Sequence, residues 1–208
     1  MANIIVRFGC REGLNREFFW NSILEVEMPK VCFVFYTKTD VTGDLVYAAI
    51  SELENSGIEV IKHKIKGSEI VEGRFINSEL FETLAKCDAI VFGSPTYMGG
   101  VAAQFKAFAD ASSQVWDSQQ WSGKIASGIT SGTALNGDQS STLQYFSILA
   151  SQHGMYWVGL NNTSQNKSVN RLGCQLGVVA HSVNGRVNDN DLDTARHLAR
   201  RIAEAIKN

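Results

Sequence analysis

Three separate segments of the chain are rich in hydroxyl groups and glycine, residue types that bind phosphate and let the backbone approach a flat ring. The first is Thr37-Lys38-Thr39-Asp40-Val41-Thr42-Gly43, which precedes a segment with helical spacing. Hydroxyls donate to phosphate oxygens, and the amides at a helix start add donors and partial positive charge. Since no G-x-x-x-x-G-K-[ST] pattern is present, we predict a monophosphate held without magnesium. A plain N-cap is the competing interpretation of this segment taken alone.

The second segment runs from Gly93 to Gly100 and the third from Thr130 to Gly137. In the second, terminal glycines allow close backbone approach, while Tyr97 and Met98 offer apolar contact. The third segment consists mostly of small residues, so its backbone amides can serve as donors. An isoalloxazine ring requires apolar contact on its faces and backbone donors along its polar edge. The two segments therefore predict a flavin site.

The chain around these segments alternates between strand-like and helix-like patterns, which is typical of βαβ units. Short apolar runs predict five buried strands, at 30–36, 58–65, 89–92, 125–130 and 155–160. Helices are predicted between them, and a last helix carries apolar residues at 192, 195, 199, 202 and 206 on one face. We therefore predict a doubly wound parallel sheet, in which ligands bind beyond the carboxyl ends of strands where the order reverses. The three segments follow strands one, three and four, so we expect them to converge.

Two parts lie outside this core. Residues 1–28 precede the first strand, and Met28 followed by Pro29 predicts that one domain spans 29–208. An extension without function is the favoured interpretation of 1–28, and an arm that packs on a partner subunit is the other. Residues 161–188, rich in Asn, Ser and Gly, predict a long connection, and loops of that length are usually functional or mobile.

Composition excludes several classes of function. The formal net charge is −2, so neither nucleic acid nor an anionic membrane is expected as the main partner. The four cysteines, Cys10, Cys32, Cys87 and Cys174, form no C-x-x-C pair, which favours reduced cytoplasmic thiols over disulfides or a metal site. No apolar stretch approaches the roughly 20 residues of a membrane span, and charges interrupt any signal peptide. We predict a cytoplasmic protein without a metal.

The sequence resembles the flavodoxin-like NAD(P)H:quinone oxidoreductases of the tryptophan-repressor-binding-protein type, from about Pro29 to the C-terminus. The motifs that carry the likeness are FGSPTYMGGVAAQFKAFAD, the stretch around Trp116 ending at Gly123-Lys124, ITSGTALNGDQSSTL, SQHGMYWVGL, NRLGCQLGVVA and DLDTAR. The resemblance implies a flavodoxin-like α/β fold with strand order 2-1-3-4-5 and helices on both faces. It also implies non-covalent FMN, hydride transfer from NAD(P)H through the flavin to a quinone, and homodimers or homotetramers with pockets shared between subunits.

The resemblance also implies site residues by position. FMN would contact Thr37, Lys38, Thr39, Val41 and Thr42 at its phosphate, Ser94, Pro95, Thr96, Tyr97, Met98 and Gly99 beside its ring, and Ser131, Gly132, Thr133, Ala134, Leu135, Asn136 and Gly137 on its pyrimidine side. His153 would lie at the flavin edge and bond or protonate a reduced quinone, while Trp116 would border the substrate pocket. Taken without the resemblance, His153 reads as a helix-terminal residue beside a C-cap glycine.

Two positions depart from the family pattern. Asp40 stands where the family usually has glycine, and its carboxylate would repel a phosphate. Aspartate tolerates positive φ and Lys38 could offset the charge, so we expect weaker FMN binding rather than none. Tyr97 replaces a frequent arginine, which would change the preferred reductant.

Two alternative functions remain open at this point. One is a flavodoxin-type electron carrier for protein partners, although such carriers tend to be strongly acidic and this chain is close to neutral. The other is an FMN-poor binding or regulatory module, for which Asp40 is the only indication.

Overall fold

The computed structural model describes residues 28–162 and 168–207. The strands are β1 (Lys30–Phe35), β2 (Glu59–Lys64), β3 (Ile70–Val71), β4 (Arg74–Phe75), β5 (Ala89–Tyr97), β6 (Gly100–Val101), β7 (Ile125–Gly132), β8 (Tyr156–Trp157) and β9 (Val178–His181). The α-helices are α1 (Val41–Asn55), α2 (Ser78–Ala85), α3 (Ala103–Ala111), α4 (Gln139–Gln152) and α5 (Asp189–Lys207). The domain boundary at residue 28 stays a prediction, because residues 1–27 lie outside the described part.

The main sheet has the order β2-β1-β5-β7-β8, with each of these pairs parallel. These are the five predicted strands, and the predicted order 2-1-3-4-5 is confirmed. The strand KVCFVF of β1 is apolar on both faces because helices cover both sides of the sheet. α1 and α5 pack on one face, and α2, α3 and α4 pack on the other.

The strands differ from the prediction by more than one residue in four places, and the first is β8, which has two residues where 155–160 was predicted. β5 continues past Phe92 to Tyr97, because its last residues pair with β7 on one side and antiparallel with β6 on the other. The segment 93–100 is therefore a β-hairpin and not a free loop. β7 likewise continues to Gly132.

The fourth difference is an additional strand, β9, which lies within the connection predicted at 161–188. It has four residues, VVAH, and pairs in parallel with the second half of β7, whereas β8 pairs with the first half. A run this short shows no clear alternation, so only its pairing with β7 defines it as a strand. Within residues 28–162 and 168–207, none of the helices is long and apolar enough to cross a membrane.

Candidate functional site

The three hydroxyl- and glycine-rich segments meet at the carboxyl edge of the sheet. Phe35 lies opposite Gly93, and Pro95 lies opposite Ser131, so β1, β5 and β7 end side by side. The hydroxyl groups of Thr42 and Ser131 form a buried hydrogen bond of 2.8 Å, which ties the first segment to the third. The convergence expected from the strand order is therefore present.

The start of α1 has the features of an anion-binding site. Asp40, the N-cap residue, adopts a left-handed conformation (φ 61°), and its side chain does not cap the helix. The amides of the first turn thus keep their donors and the partial positive charge of the helix end. Lys38 and Thr39 are exposed beside them, which suits a monophosphate. Thr37, in contrast, is buried, and its methyl group packs close to the backbone of Gly43.

The charge of Asp40 is balanced by a residue of β2, and not by Lys38 as expected. Its Oδ1 lies 3.2 Å from Nζ of Lys64, the last residue of β2, and 70% of its side chain is exposed. Lys64 therefore offsets the Asp40 charge, which was the role predicted for Lys38. Burial first, and the charge of Asp40 second, raise the pKa of Asp44 above its ordinary value. Because Asp40 is solvated and paired, its repulsion of a bound phosphate is screened.

In the second segment, some residues stabilise the hairpin and others are exposed. Ser94 is buried, donates its hydroxyl to the carbonyl of Pro95 at 2.9 Å and accepts the amide of Ala102 at 2.9 Å. The Thr96 hydroxyl bonds the hydroxyls of Thr130 and Thr142 at 2.9 and 2.8 Å. These side chains brace the hairpin and do not face outward.

The tip of that hairpin projects from the sheet edge. Met98 and Gly99 both have positive φ, 49° and 79°, as a two-residue turn of the I′ type requires. Met98 is fully exposed, and Tyr97 is 43% exposed. Burial, and to a lesser degree the nearby Tyr36, raises the pKa of Tyr97, so its hydroxyl stays protonated at neutral pH. The tip offers apolar surface and one hydroxyl donor to a flat ligand.

The third segment is held in shape by Gln139, which the sequence analysis missed. Its Nε2 donates to the carbonyl of Ala134 at 2.6 Å, and its Oε1 accepts the amide of Gly137 at 3.2 Å. A Cβ at Gly132 would lie too close to Nε2 of Gln139, so any other residue at this position would displace the Gln139 amide. Leu135 is exposed at the top of the turn. A long amide side chain opening a helix just after a glycine turn is the signal that could have identified Gln139.

His153 and Trp116 lie at the other edge of the sheet. α4 starts beyond the carboxyl end of β7 and runs back, so it ends at the amino edge, where the Gly123 amide donates to the Gly154 carbonyl at 2.9 Å. Trp116 donates its Nε1–H to the carbonyl of Gln152 at 2.8 Å. Within one chain, the structure therefore does not bring these two residues to the three segments, and the place of His153 at a flavin edge stays a prediction.

The surroundings of His153 define its tautomer. The Ser112 hydroxyl donates to the carbonyl of Ala109 at 2.7 Å, so it must accept from Nε2–H of His153 at 2.9 Å. His153 is 2% exposed, and burial lowers its pKa to about 4. The ring is thus neutral at pH 7, which argues against the predicted role as a proton donor. Its Nδ1 and the nearby Trp121 Nε1–H have no partner among the described residues.

Comparison with known proteins now gives the class. Residues 40–167 match the family described as NADPH-dependent FMN reductase, and the chain belongs to this family. The expected flavodoxin-like fold, FMN cofactor and NAD(P)H reductant agree with it. The chain is an FMN-dependent oxidoreductase of the flavodoxin-like type.

Individual relatives differ in activity. The chain is 33% identical over 186 residues to flavodoxin FldP of Pseudomonas aeruginosa, covering 85% of this chain and 96% of that protein. It is 29% identical over 191 residues to an NAD(P)H dehydrogenase (quinone) of Archaeoglobus fulgidus, covering 85% and 97%. The flavodoxin, WrbA-like protein from Agrobacterium tumefaciens superposes with a TM-score of 0.69 at 34% identity, covering 86% of this chain and 98% of that one.

Proposed function

We propose that the protein is an FMN-dependent NAD(P)H dehydrogenase that reduces quinones in two-electron steps. The observation that carries the proposal is the carboxyl edge of the sheet, where an uncapped helix start adjoins exposed apolar side chains of two loops. These side chains are Tyr97, Met98 and Leu135. Relatives named NAD(P)H dehydrogenase (quinone) support the same activity.

The residues of this edge would divide the work of binding. Backbone amides at the start of α1, with Lys38 and Thr39, would hold the phosphate, and the hairpin tip and the Ser131–Gly137 turn would flank the ring. Bound FMN supplies the hydride chemistry, while the protein positions the reactants and excludes water. The Tyr97 hydroxyl, kept protonated, would donate a hydrogen bond to an acceptor on the ring or the quinone.

Roles for Trp116 and His153 would require a second subunit. Both lie at the amino edge, so they could border a flavin only if that edge faced the carboxyl edge of another copy in a homodimer or homotetramer. Trp116 is 45% exposed and could line a neighbour's pocket, whereas buried His153 could act only by supporting that surface. Sedimentation of the FMN-loaded protein measures its oligomeric state. The KM for the quinone, compared between Trp116→Ala and the wild type, tests whether Trp116 borders the pocket.

The first experiment is spectroscopic and kinetic. Purified protein supplemented with FMN is expected to retain a yellow flavin that absorbs between about 350 and 500 nm. It is also expected to oxidise NADH or NADPH with benzoquinone faster than free FMN at the same concentration. Protein that stays colourless and no faster than free FMN would refute the proposal.

A flavodoxin-type electron carrier is the second candidate, and the similarity to flavodoxin FldP favours it. The near-neutral charge argues against it, because carriers use a strong charge to steer toward protein partners. Redox titration separates the two: a carrier accepts electrons in two resolved one-electron steps, whereas a quinone dehydrogenase accepts them as a pair.

A further inference from the structure

A pocket of about 620 Å³ lies between the end of β9 and the start of α5. His181 forms part of its wall, lies opposite Gly132 in the sheet register and has its Nε2 3.2 Å from the carbonyl of Thr133. The pocket therefore adjoins the turn that flanks the flavin ring. No residue of 37–42 or 96–99 lines it, so it is separate from the other two flavin segments.

Ser182 gives the first indication of a ligand in this pocket. The residue lines the pocket and is 7% exposed, and its amide donates to the carbonyl of Gly132 at 3.0 Å, which fixes its position. Within the described ranges its hydroxyl has no hydrogen-bond partner. A buried hydroxyl without a protein partner is unfavourable, so a ligand oxygen beside Ser182 would gain a hydrogen bond there.

Charge gives the second indication. Arg171 forms a two-point contact with Asp191, at 2.8 and 2.7 Å, and Asp191 is almost fully buried. The net charge of this pair is zero, and Arg171 forms one wall of the pocket. Arg186 lines the same pocket, is exposed, and its guanidinium has no hydrogen bond or ion pair with the rest of the described chain. Asp189 lies nearby in sequence but is not part of the lining. The pocket thus carries one uncompensated positive charge.

We propose that this pocket binds a phosphate group of the pyridine nucleotide reductant, with Arg186 and Ser182 as its ligands. The proposal rests on the proposed oxidation of NAD(P)H. A guanidinium and a hydroxyl suit phosphate oxygens, and the contact of His181 with the Thr133 carbonyl places the pocket beside the turn that is expected to flank the ring. The group is either the pyrophosphate, shared by NADH and NADPH, or the 2′-phosphate of NADPH.

The test compares Arg186→Gln with Arg74→Gln in the FMN-loaded protein. Arg74 is also exposed but lies on β4, so it controls for the loss of one charge. For Arg186→Gln we expect KM to rise about tenfold, with kcat within about twofold, and no change for Arg74→Gln. A rise for both nucleotides identifies the pyrophosphate, and a rise for NADPH alone identifies the 2′-phosphate. Equal KM values in the two variants, or loss of FMN from Arg186→Gln, overturn the proposal.

Calorimetric titration with ADP-ribose and 2′-phospho-ADP-ribose gives a readout independent of turnover. Ser182→Ala is expected to weaken binding of one or both probes while leaving Tm unchanged or raised, because an unpaired buried hydroxyl is removed. Unchanged binding with a lowered Tm would show that Ser182 is only structural. Wild-type protein that binds the probes but oxidises neither nucleotide would contradict the proposed function and not this pocket.

Discussion

At the carboxyl edge of the sheet, Tyr97, Met98 and Leu135 are exposed around an uncapped helix start, whereas at the amino edge Trp121 and His153 are buried against each other. The ring centroids of Trp121 and His153 are 4.2 Å apart, and the Ser112 hydroxyl bonds the histidine. At both edges the chain turns between a strand and a helix. One is left open for a ligand, and the other is filled by its own side chains.

This difference teaches that residue type alone does not define a site in a doubly wound fold. A histidine and a tryptophan have the chemistry of an active site, yet here they close the base of the sheet. The open edge instead carries threonines, serines and glycines, which are less reactive. They lie together because the parallel strands end at the same edge. The following predictions test the contrast, from the largest expected effect to the smallest.

His153→Gln should change the pH dependence of stability most. The unfolded imidazole titrates near pH 6.5 and the folded one near 4, so acid destabilises the wild type progressively as pH falls from 6.5 to 4. The loss amounts to roughly 3 kcal/mol. Glutamine can still donate to Ser112 but does not titrate, so urea unfolding of the variant should lack this slope. Parallel stability curves for the two proteins would show that His153 is not buried neutral.

Adding a negative charge should affect the two edges differently. Thr39→Glu introduces a carboxylate beside the predicted phosphate position, and FMN should bind at least about tenfold more weakly. Ser56→Glu makes a similar change at the exposed C-terminal end of α1, at the amino edge, where FMN affinity should stay within about twofold. Quenching of FMN fluorescence on titration gives both dissociation constants. Similar losses in the two variants would contradict a phosphate site at α1.

Thr42→Val removes the hydroxyl bond that joins the α1 loop to the end of β7. Because Ser131 loses a buried partner, the free energy of unfolding should fall by about 1–2 kcal/mol, and FMN should bind a few-fold more weakly. Thr83→Val is the matched control, since that hydroxyl bonds only a carbonyl of its own helix. A Thr42→Val protein as stable as the Thr83→Val protein would mean that the link does not hold the edge together.

Asp40→Gly should have the smallest effect. Glycine adopts the left-handed conformation freely, and removal of a solvated carboxylate should tighten FMN binding about threefold. Lys64 loses an exposed ion pair worth little stability. Affinity unchanged within error would remove the only indication of an FMN-poor module, whereas a gain above about thirtyfold would show that the carboxylate faces the phosphate unscreened.

The sequence predicts the strand order and the convergence of the loops because both follow from continuous apolar runs and from the geometry of parallel sheets. It does not predict Lys64 beside Asp40, Gln139 under the third segment or His181 beside Thr133, since these contacts join residues far apart in sequence or depend on one turn's shape. The position of His153 was deducible, because a helix following a strand returns to the amino edge. The resemblance implies a place for this residue at a flavin edge without stating which subunit would hold that flavin.

The fifth position of the sheet is shared by two short strands, β8 along the beginning of β7 and β9 along its end. Such an interrupted border presents no long row of unpaired amides and carbonyls to another chain. Short edge strands protect sheets from growing by strand addition, so this side of the molecule resists aggregation.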